Sequence, residues 1–321
     1  MSRFFKILFS NLVILLAVVI ISEFVFYQIA RKQYYDFVPK VTNGKKNIFP
    51  YFIETGSAEK HITWLVTHCA RPPVGLNYKK KSIVLFGCSY TFGSGLEDNQ
   101  TFSAKLSKYT KRPVFNRGFF GKGLQLMYWQ LNSDLFYKDI TVPPEYMIYV
   151  FSYDMHMPRL YLYTFQLFNN YLNLRYYPNK LDENGDLVEI HPLLPQYLNG
   201  LYTVRYFENA IARLNILNPR NTRKHEEFIR LIFNKSKKKA QAHYPDVKFV
   251  VFCIDTHKNE SDEHQRLLDE LKDDGFIVVK MNEITDIDLS ETKWHISDGD
   301  EHPNEMFWDN VVPKLAQKLK L

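Results

Sequence analysis

Short continuous apolar runs alternate with helix-period segments through much of this 321-residue chain. Such alternation predicts a three-layer α/β fold, in which a parallel sheet carries helices on both faces. The apolar runs predict five strands, at Ser82 to Phe86, Pro113 to Asn116, Met147 to Phe151, Val247 to Ile254 and Phe276 to Val279. The segments beside them predict helices at Thr101 to Tyr109, Leu124 to Tyr137, Glu263 to Asp273 and Met306 to Leu319.

A long segment, roughly Leu160 to Tyr244, separates the third predicted strand from the fourth. It is too long for a simple strand-helix-strand connection. The turn at residues 182–186 predicts a hairpin between Leu174 to Tyr177 and Leu187 to Ile190. Two helices are expected after it, near Tyr206 to Leu217 and His225 to His243. We interpret residues 160–244 as a cap over the functional edge of the sheet.

The N-terminus is mostly apolar from Phe4 to Ile21, and apolar residues continue through Phe26. This stretch is long enough to span a bilayer as a helix. No small-residue cleavage site follows it, since Ser22 leads into Glu23 and further large residues. We therefore expect residues 1–32 to be a single-pass anchor in the inner (cytoplasmic) membrane. Residues 33–321 are expected to form one periplasmic domain.

Charge and cysteine content exclude several classes of function. The net charge of +6 comes largely from short lysine runs, which are usually solvated, and no nucleic-acid-binding pattern is present. The three cysteines are too scattered for a disulfide framework or a zinc site, and we expect Cys88 and Cys253 to be reduced. No metal or other cofactor is implied, because metal-site spacing is lacking at His61, His68, His191, His225, His243, His257, His264 and His295.

The segment from Phe86 to Gly93 contains Gly87-Cys88-Ser89-Tyr90 directly after the first predicted strand. Open α/β sheets bind ligands at this edge. A serine on such a turn presents its hydroxyl there, and its backbone N–H can face a developing oxyanion. The alternative is an ordinary strand-to-helix turn in which the serine is only a cap.

The segment from Ser297 to Asn304 places carboxylates and an imidazole just before the last predicted helix. A serine hydroxyl becomes a good nucleophile when a neutral imidazole accepts its proton and a carboxylate orients that imidazole. We therefore expect Ser89 as nucleophile and His302 as base. In the alternative interpretation, the acidic residues only favour a helix N-terminus, and His302 is exposed.

Together these two segments resemble the SGNH hydrolase superfamily, also called the GDSL family. Its first block is Gly-Asp-Ser-hydrophobic and its last is Asp-x-x-His-Pro-Asn; here Cys88 replaces the first aspartate. A second block follows in order at Asn116 to Gly121. The resemblance covers residues 82–155 and 245–321. It implies a flavodoxin-like sheet and an oxyanion hole made by the backbone N–H groups of Ser89 and Gly121.

The chain departs from the family in two places. The third family block, Gly-x-Asn-Asp, has no counterpart, so Asp154, His156 or Arg159 takes that place or two backbone donors form the hole alone. The family spacing also puts the triad aspartate at position 299, which is a glycine. Asp300 is the favoured acid and Asp298 the alternative.

The resemblance implies a serine esterase or O-acyl (acetyl) transferase that works through a Ser-His-Asp acyl-enzyme. The expected substrate is an acylated cell-envelope glycan, with lipid and thioester substrates left open. The expected partners are the bilayer, through the N-terminal helix, and a membrane protein that delivers acyl groups. The alternative is a non-catalytic SGNH-like binding or assembly subunit of an envelope polysaccharide system. The absent asparagine and the displaced aspartate favour that alternative.

Overall fold

A computed structural model provides the fold of this chain. It describes residues 17–25, 73–119, 123–159, 179–181, 187–189, 222–255 and 261–321, together with positions 11, 14, 28 and 71. These residues fall into two compact units, and the main sheet lies in the unit that holds residues 71–159 and 222–321.

The elements follow one another in a repeated strand-helix order. In chain order they are β1 (Ser82–Phe86), α1 (Ser89–Phe92), α2 (Phe102–Thr110), β2 (Val114–Asn116), α3 (Leu124–Leu131), α4 (Asp134–Asp139), β3 (Pro144–Phe151), α5 (Tyr153–Arg159), β4 (Asn179–Leu181), β5 (Leu187–Glu189), α6 (Thr222–His243), β6 (Lys248–Cys253), α7 (Asp262–Asp273), β7 (Ile277–Lys280), β8 (His295–Ser297), β9 (Asp300–Pro303) and α8 (Glu305–Leu319).

Five of these strands form one parallel sheet in the order β2-β1-β3-β6-β7. Leu85 of β1 lies opposite Asn116 on one side and Ile148 on the other. The chain therefore leaves β1 in one direction to form β2 and returns on the other side to form β3. Such a reversal opens a crevice beyond the carboxyl ends of the strands. The predicted α/β class with a five-stranded parallel sheet is confirmed.

Helices cover both faces of the sheet. On one face, strand residues such as Ile83 and Ile148 share a core with Phe102 of α2 and Leu315 of α8. On the other face, Tyr149 contacts Phe233 of α6 edge to face, with ring centroids 5.3 Å apart. Alternate residues of each strand thus pack against the helices on opposite faces of the sheet, because successive side chains of a pleated strand point to opposite sides.

Helix α6 contains the stretch that we interpreted as the second helix of the cap. Its residues Ile229, Ile232 and Phe233 are fully buried, and it packs on α3 and α7. It also leads directly into β6. The insertion from Thr222 onward therefore belongs to a layer that covers the sheet. The helix expected near Tyr206 to Leu217 lies outside the described residues.

Two smaller predictions differ in detail from the structure. The single helix expected from Leu124 to Tyr137 is divided into α3 and α4, because Ser133 is extended at φ −102° and ψ 126°. Asn and Ser side chains compete for backbone hydrogen bonds and so favour helix ends. In the insertion, β4 and β5 form the predicted antiparallel hairpin across residues 182–186. Its first strand is Asn179–Leu181, whereas we expected Leu174 to Tyr177, and residues 174–177 and 182–186 lie outside the described residues.

The described part of the N-terminal segment is helical at residues 17–25. Several of its apolar side chains are exposed, among them Ile20, Ile21 and Phe24. None of the helices in the described part of the chain has the length and apolar character needed to cross a membrane.

The contact between α2 and α8 yields the first prediction. Trp308 is fully buried and stacks on Phe102 with ring centroids 4.6 Å apart. Truncation in the Trp308→Ala variant leaves a large cavity and should lower the free energy of unfolding by about 3–5 kcal/mol. Denaturant titration measures the change. The control Met306→Ala, on the exposed side of the same helix, should stay within about 0.5 kcal/mol of wild type. Equal losses in both variants would contradict this packing.

Candidate active site

Ser89 begins α1 just beyond the carboxyl end of β1 and is 7% exposed. The turn before Ser89 depends on Gly87, which has φ +150°. A Cβ at this position would lie 2.1 Å from Thr91 Oγ1, so a larger residue would clash. The first N–H groups of a helix lack acceptors within it, and in the part of the chain that the structure describes no acceptor engages the Ser89 N–H. Among the described residues, no hydrogen bond engages the Ser89 hydroxyl.

The second block packs directly against α1. Asn116 is fully buried; its amide donates to the Thr91 carbonyl at 2.8 Å and its oxygen accepts the Gly118 N–H at 3.1 Å. A Cβ at Gly118 would lie 2.6 Å from Thr91 Cβ, so only glycine allows this approach. Gly121 lies outside the described residues, and its role as an oxyanion donor stays a prediction.

The C-terminal end of α1 is held by Arg71, a residue that the sequence analysis did not identify. Arg71 is 9% exposed, and its guanidinium donates to the carbonyls of Phe92 at 3.1 Å, Gly93 at 2.7 Å and Leu96 at 2.9 Å. It also pairs with Asp98 at 2.5 Å. A cation here satisfies carbonyls that the helix leaves unpaired. No sequence signal marks Arg71, because its main partners are backbone atoms.

The segment that carries His302 is a hairpin formed by β8 and β9. Ser297 pairs with Asp300, so Asp298 and Gly299 form a two-residue turn in which Gly299 has φ +84°. Glycine adopts this conformation without steric cost. Alternate residues of a strand share a face, so Asp300 and His302 on β9 project to the same side.

Asp300 is the acid that reaches His302. Its Oδ1 lies 2.5 Å from Nδ1 of His302 and also accepts the His302 backbone N–H at 3.1 Å. Burial alone would raise the pKa of Asp300, but the hydrogen bond and positive charge of His302 outweigh it and hold that pKa below its usual value. Asp298 is exposed, and among the described contacts it makes none with His302. Nε2 of His302 has no partner in the described part of the chain.

Two contacts bring this hairpin against the serine turn. The His302 ring lies 5.4 Å from the ring of Tyr90, the residue after Ser89, in an edge-on arrangement. Gly95 packs so closely on β8 that a Cβ there would lie 2.5 Å from Ile296 Cδ1. The serine turn and the imidazole, distant in sequence, therefore meet at one edge of the sheet.

Asn304 fastens the hairpin to the last helix. Its oxygen accepts the Phe307 N–H at 3.0 Å, as an N-cap of α8. Its amide donates to the carbonyl of His295 at 2.9 Å. One side chain thus ties the start of β8 to the start of α8.

The segment after β3, where the resemblance would place the third family block, contains the start of α5 and a buried imidazole. His156 is 1% exposed, and its Nδ1 accepts the Ser152 N–H at 3.2 Å, which favours a structural role. Asp154 lies exposed in the first turn of α5. An ionised carboxylate has no proton to donate, so Asp154 could serve as an oxyanion donor only when protonated. The Arg159 side chain lies outside the description.

A second group of polar side chains lies at the end of β6. Cys253, Asp255 and His264 bring three potential metal-ligand atoms within 4.8 Å of one another. From the sequence we expected Cys253 to be reduced and found no metal-site spacing at His264. The cluster forms only in three dimensions, because Cys253 ends β6, Asp255 follows that strand and His264 belongs to α7.

The chain matches no protein-family model and no curated protein. Several solved structures are similar in fold. A lipolytic protein described as of the G-D-S-L family, from Desulfitobacterium hafniense DCB-2, is 10% identical with a TM-score of 0.41, over 74% of this chain and 99% of that chain. An acetyl xylan esterase from Butyrivibrio proteoclasticus is 11% identical with a TM-score of 0.41, over 75% and 63%. A family two carbohydrate esterase from Cellvibrio japonicus is 11% identical with a TM-score of 0.35, over 75% and 62%. Likeness at these values establishes neither family nor activity.

The position of Arg71 yields a second prediction. In the Arg71→Met variant, buried carbonyls at the end of α1 lose their donor, and the free energy of unfolding should fall by about 3 kcal/mol. Denaturant titration measures it. The matched control is Arg112→Met, because among the described residues Arg112 bonds a single carbonyl besides its ion pair with Glu145. An Arg71→Met loss no larger than that of the control would contradict the role assigned to Arg71.

Proposed function

We propose that this chain is a serine hydrolase of the SGNH type, which cleaves or transfers acyl groups through an acyl-enzyme on Ser89. The observation that carries the proposal is the Asp300–His302 pair, whose imidazole lies against Tyr90, next to Ser89. We therefore assign Ser89, His302 and Asp300 the roles of nucleophile, base and orienting acid, at the edge of a parallel sheet where ligands bind.

In the first step, Ser89 Oγ attacks the ester carbonyl while Nε2 of His302 accepts the hydroxyl proton. Asp300 holds the proton on Nδ1, which leaves Nε2 as the basic nitrogen, and stabilises the imidazolium that forms. The tetrahedral intermediate collapses when His302 returns the proton to the leaving alkoxide oxygen. The products of this step are the acyl-enzyme and an alcohol.

In the second step, a water or a sugar hydroxyl attacks the acyl-enzyme, again with His302 as base. The tetrahedral intermediate then expels Ser89 Oγ, to which His302 returns the proton. Attack by water gives hydrolysis, and attack by a sugar hydroxyl gives transfer. The Ser89 N–H supports the oxyanion in both steps, with the Gly121 N–H as its predicted partner. Because the third block has no asparagine, one donor fewer contributes, and removal of one such donor typically costs about 10²–10³-fold in rate.

The finer proposal is that the acyl group lies on a cell-envelope glycan and that the N-terminal segment associates with the inner membrane. The apolar run from Phe4 to Phe26 and the exposed apolar side chains of residues 17–25 support membrane association. Fractionation of cells that express the full chain tests it: recovery in the soluble fraction would count against it. The substrate class is tested by comparing the release of acetate from O-acetylated glycans with the release of fatty acid from acyl lipids.

Covalent labelling with a fluorophosphonate probe tests the serine directly. The full chain in detergent should be labelled, and the label should disappear in Ser89→Ala and fall strongly in His302→Ala. Ser94→Ala is the matched control, because Ser94 is a buried serine close to the same turn, and it should label like wild type. A folded wild-type protein that takes up no label would favour the non-catalytic binding subunit.

The choice between the two aspartates yields a further prediction. Loss of the acid that orients a catalytic histidine lowers kcat by up to about 10⁴-fold. We expect Asp300→Asn to lower the rate of ester hydrolysis by about 10³–10⁴-fold, whereas Asp298→Asn keeps nearly full activity. A model-ester assay on both variants measures this. The opposite ranking would transfer the role to Asp298.

A further inference from the structure

The cluster at the end of β6 brings one thiol, one carboxylate and one imidazole to a single point. Cys253 Sγ lies 2.8 Å from Asp255 Oδ2 and 3.2 Å from His264 Nε2, and these last two atoms are 3.0 Å apart. Cys253 and His264 are at most 3% exposed, and the Asp255 side chain is 7% exposed. The cluster lies outside the Ser89 site, because β3 separates β6 from β1 in the sheet.

The arrangement converges on one point and does not form a relay. In a nucleophilic triad, the imidazole contacts the nucleophile through one nitrogen and the acid through the other. Here Nε2 of His264 faces both the sulfur and the carboxylate oxygen. The three potential ligand atoms thus form a small triangle, as ligands on one side of a bound ion do.

We propose that Cys253, Asp255 and His264 bind a divalent transition-metal ion, with Zn²⁺ as the preferred occupant. Thiolate, imidazole and carboxylate are the ligands that zinc takes in proteins. Tetrahedral zinc with bonds of about 2.0–2.3 Å needs ligand atoms about 3.4–3.6 Å apart, so the three side chains must spread by less than about 1 Å. A water would take the fourth position of the tetrahedron.

Charge balance supports a divalent ion. A thiolate and a carboxylate contribute one negative charge each, and a neutral imidazole contributes none. Together they balance the charge of Zn²⁺ and leave a buried site without net charge, which avoids the large cost of an uncompensated buried ion.

The surroundings hold these ligands in place, as outer-shell partners of metal sites do. The backbone N–H of Tyr153 donates to both carboxylate oxygens of Asp255, at 2.9 and 3.2 Å. The Tyr153 ring stacks on His264 with centroids 4.9 Å apart, and its hydroxyl donates to Glu226 at 3.3 Å. Glu226 is in turn paired with Arg266 of α7 at 2.6 Å.

The role that follows is structural. Asp255 supports the start of α5, which begins at Tyr153 directly after β3, and His264 belongs to α7. A bound ion would therefore join β6, α7 and the start of α5 at the carboxyl edge of the sheet. An ion that binds the folded state but not the unfolded state raises the free energy of unfolding by mass action.

Cobalt binding tests the site. The full chain in detergent, freed of metal with a chelator, is titrated with Co²⁺ under reducing conditions. We expect one ion per chain, with a sulfur-to-cobalt charge-transfer band and the intense visible bands of tetrahedral cobalt. Zn²⁺ should displace the cobalt and raise the melting temperature of the protein.

Variants assign the ligands. Cys253→Ser should abolish the charge-transfer band, whereas Cys88→Ser, a change at the other buried free thiol, should keep it. Asp255→Asn keeps an oxygen that can accept the Tyr153 N–H. Loss of an outer-shell partner typically weakens metal binding about 10–100-fold, and we expect Asp255→Asn to weaken it by more than that. A folded wild type that binds neither ion would show that the cluster is only a hydrogen-bonded network. A band retained in Cys253→Ser would also overturn the assignment.

Discussion

Trp308 stacked on Phe102 is the contact on which the arrangement of the site depends. Phe102 begins the helix that follows the serine turn, and Trp308 lies in the first turns of the helix that follows the histidine hairpin. Their packing brings two segments from distant parts of the sequence into register. Ion pairs from Lys105 to Glu305 and Asp309 surround the stack, but burial of apolar surface supplies most of the free energy. A small shift between these helices would move the histidine hairpin away from the serine turn.

The displaced acid has a simple geometric explanation. The family pattern separates aspartate and histidine by two residues, whereas Asp300 and His302 are separated by one. The hairpin makes the shorter spacing workable, since side chains two positions apart in a strand lie on one face. Gly299 lies in the turn, where a positive φ is required, and among the described contacts it makes none that orients the histidine ring. Within this one hairpin, Gly299 thus lies in the turn and Asp300 lies beside the imidazole.

The sheet, and the approach of the histidine hairpin to the serine turn, could be predicted from sequence because their signals are local. Apolar runs mark strands such as Ser82–Phe86. A serine after a strand, with an acid and a histidine near the last helix, predicts a nucleophile and its base, and these roles stay predictions. Arg71 and the role of Asn116 could not be predicted, because their partners are backbone carbonyls and N–H groups that any sequence provides. The Asp298-Gly299 pair was an available hairpin signal. The layer occupied by α6 depended on packing that no periodicity reveals.

The hairpin that carries His302 is a separate two-stranded sheet with no ladder to the main one. A hairpin of this size is marginal alone, so its order depends on the Asn304 amide and on the contact between Gly95 and Ile296. Regions with few buried contacts open at lower free energy than the core around them. His302 can therefore move away from Ser89 while the five-stranded core remains folded. Local opening of this hairpin, and not melting of the domain, then sets the upper temperature at which the site stays assembled.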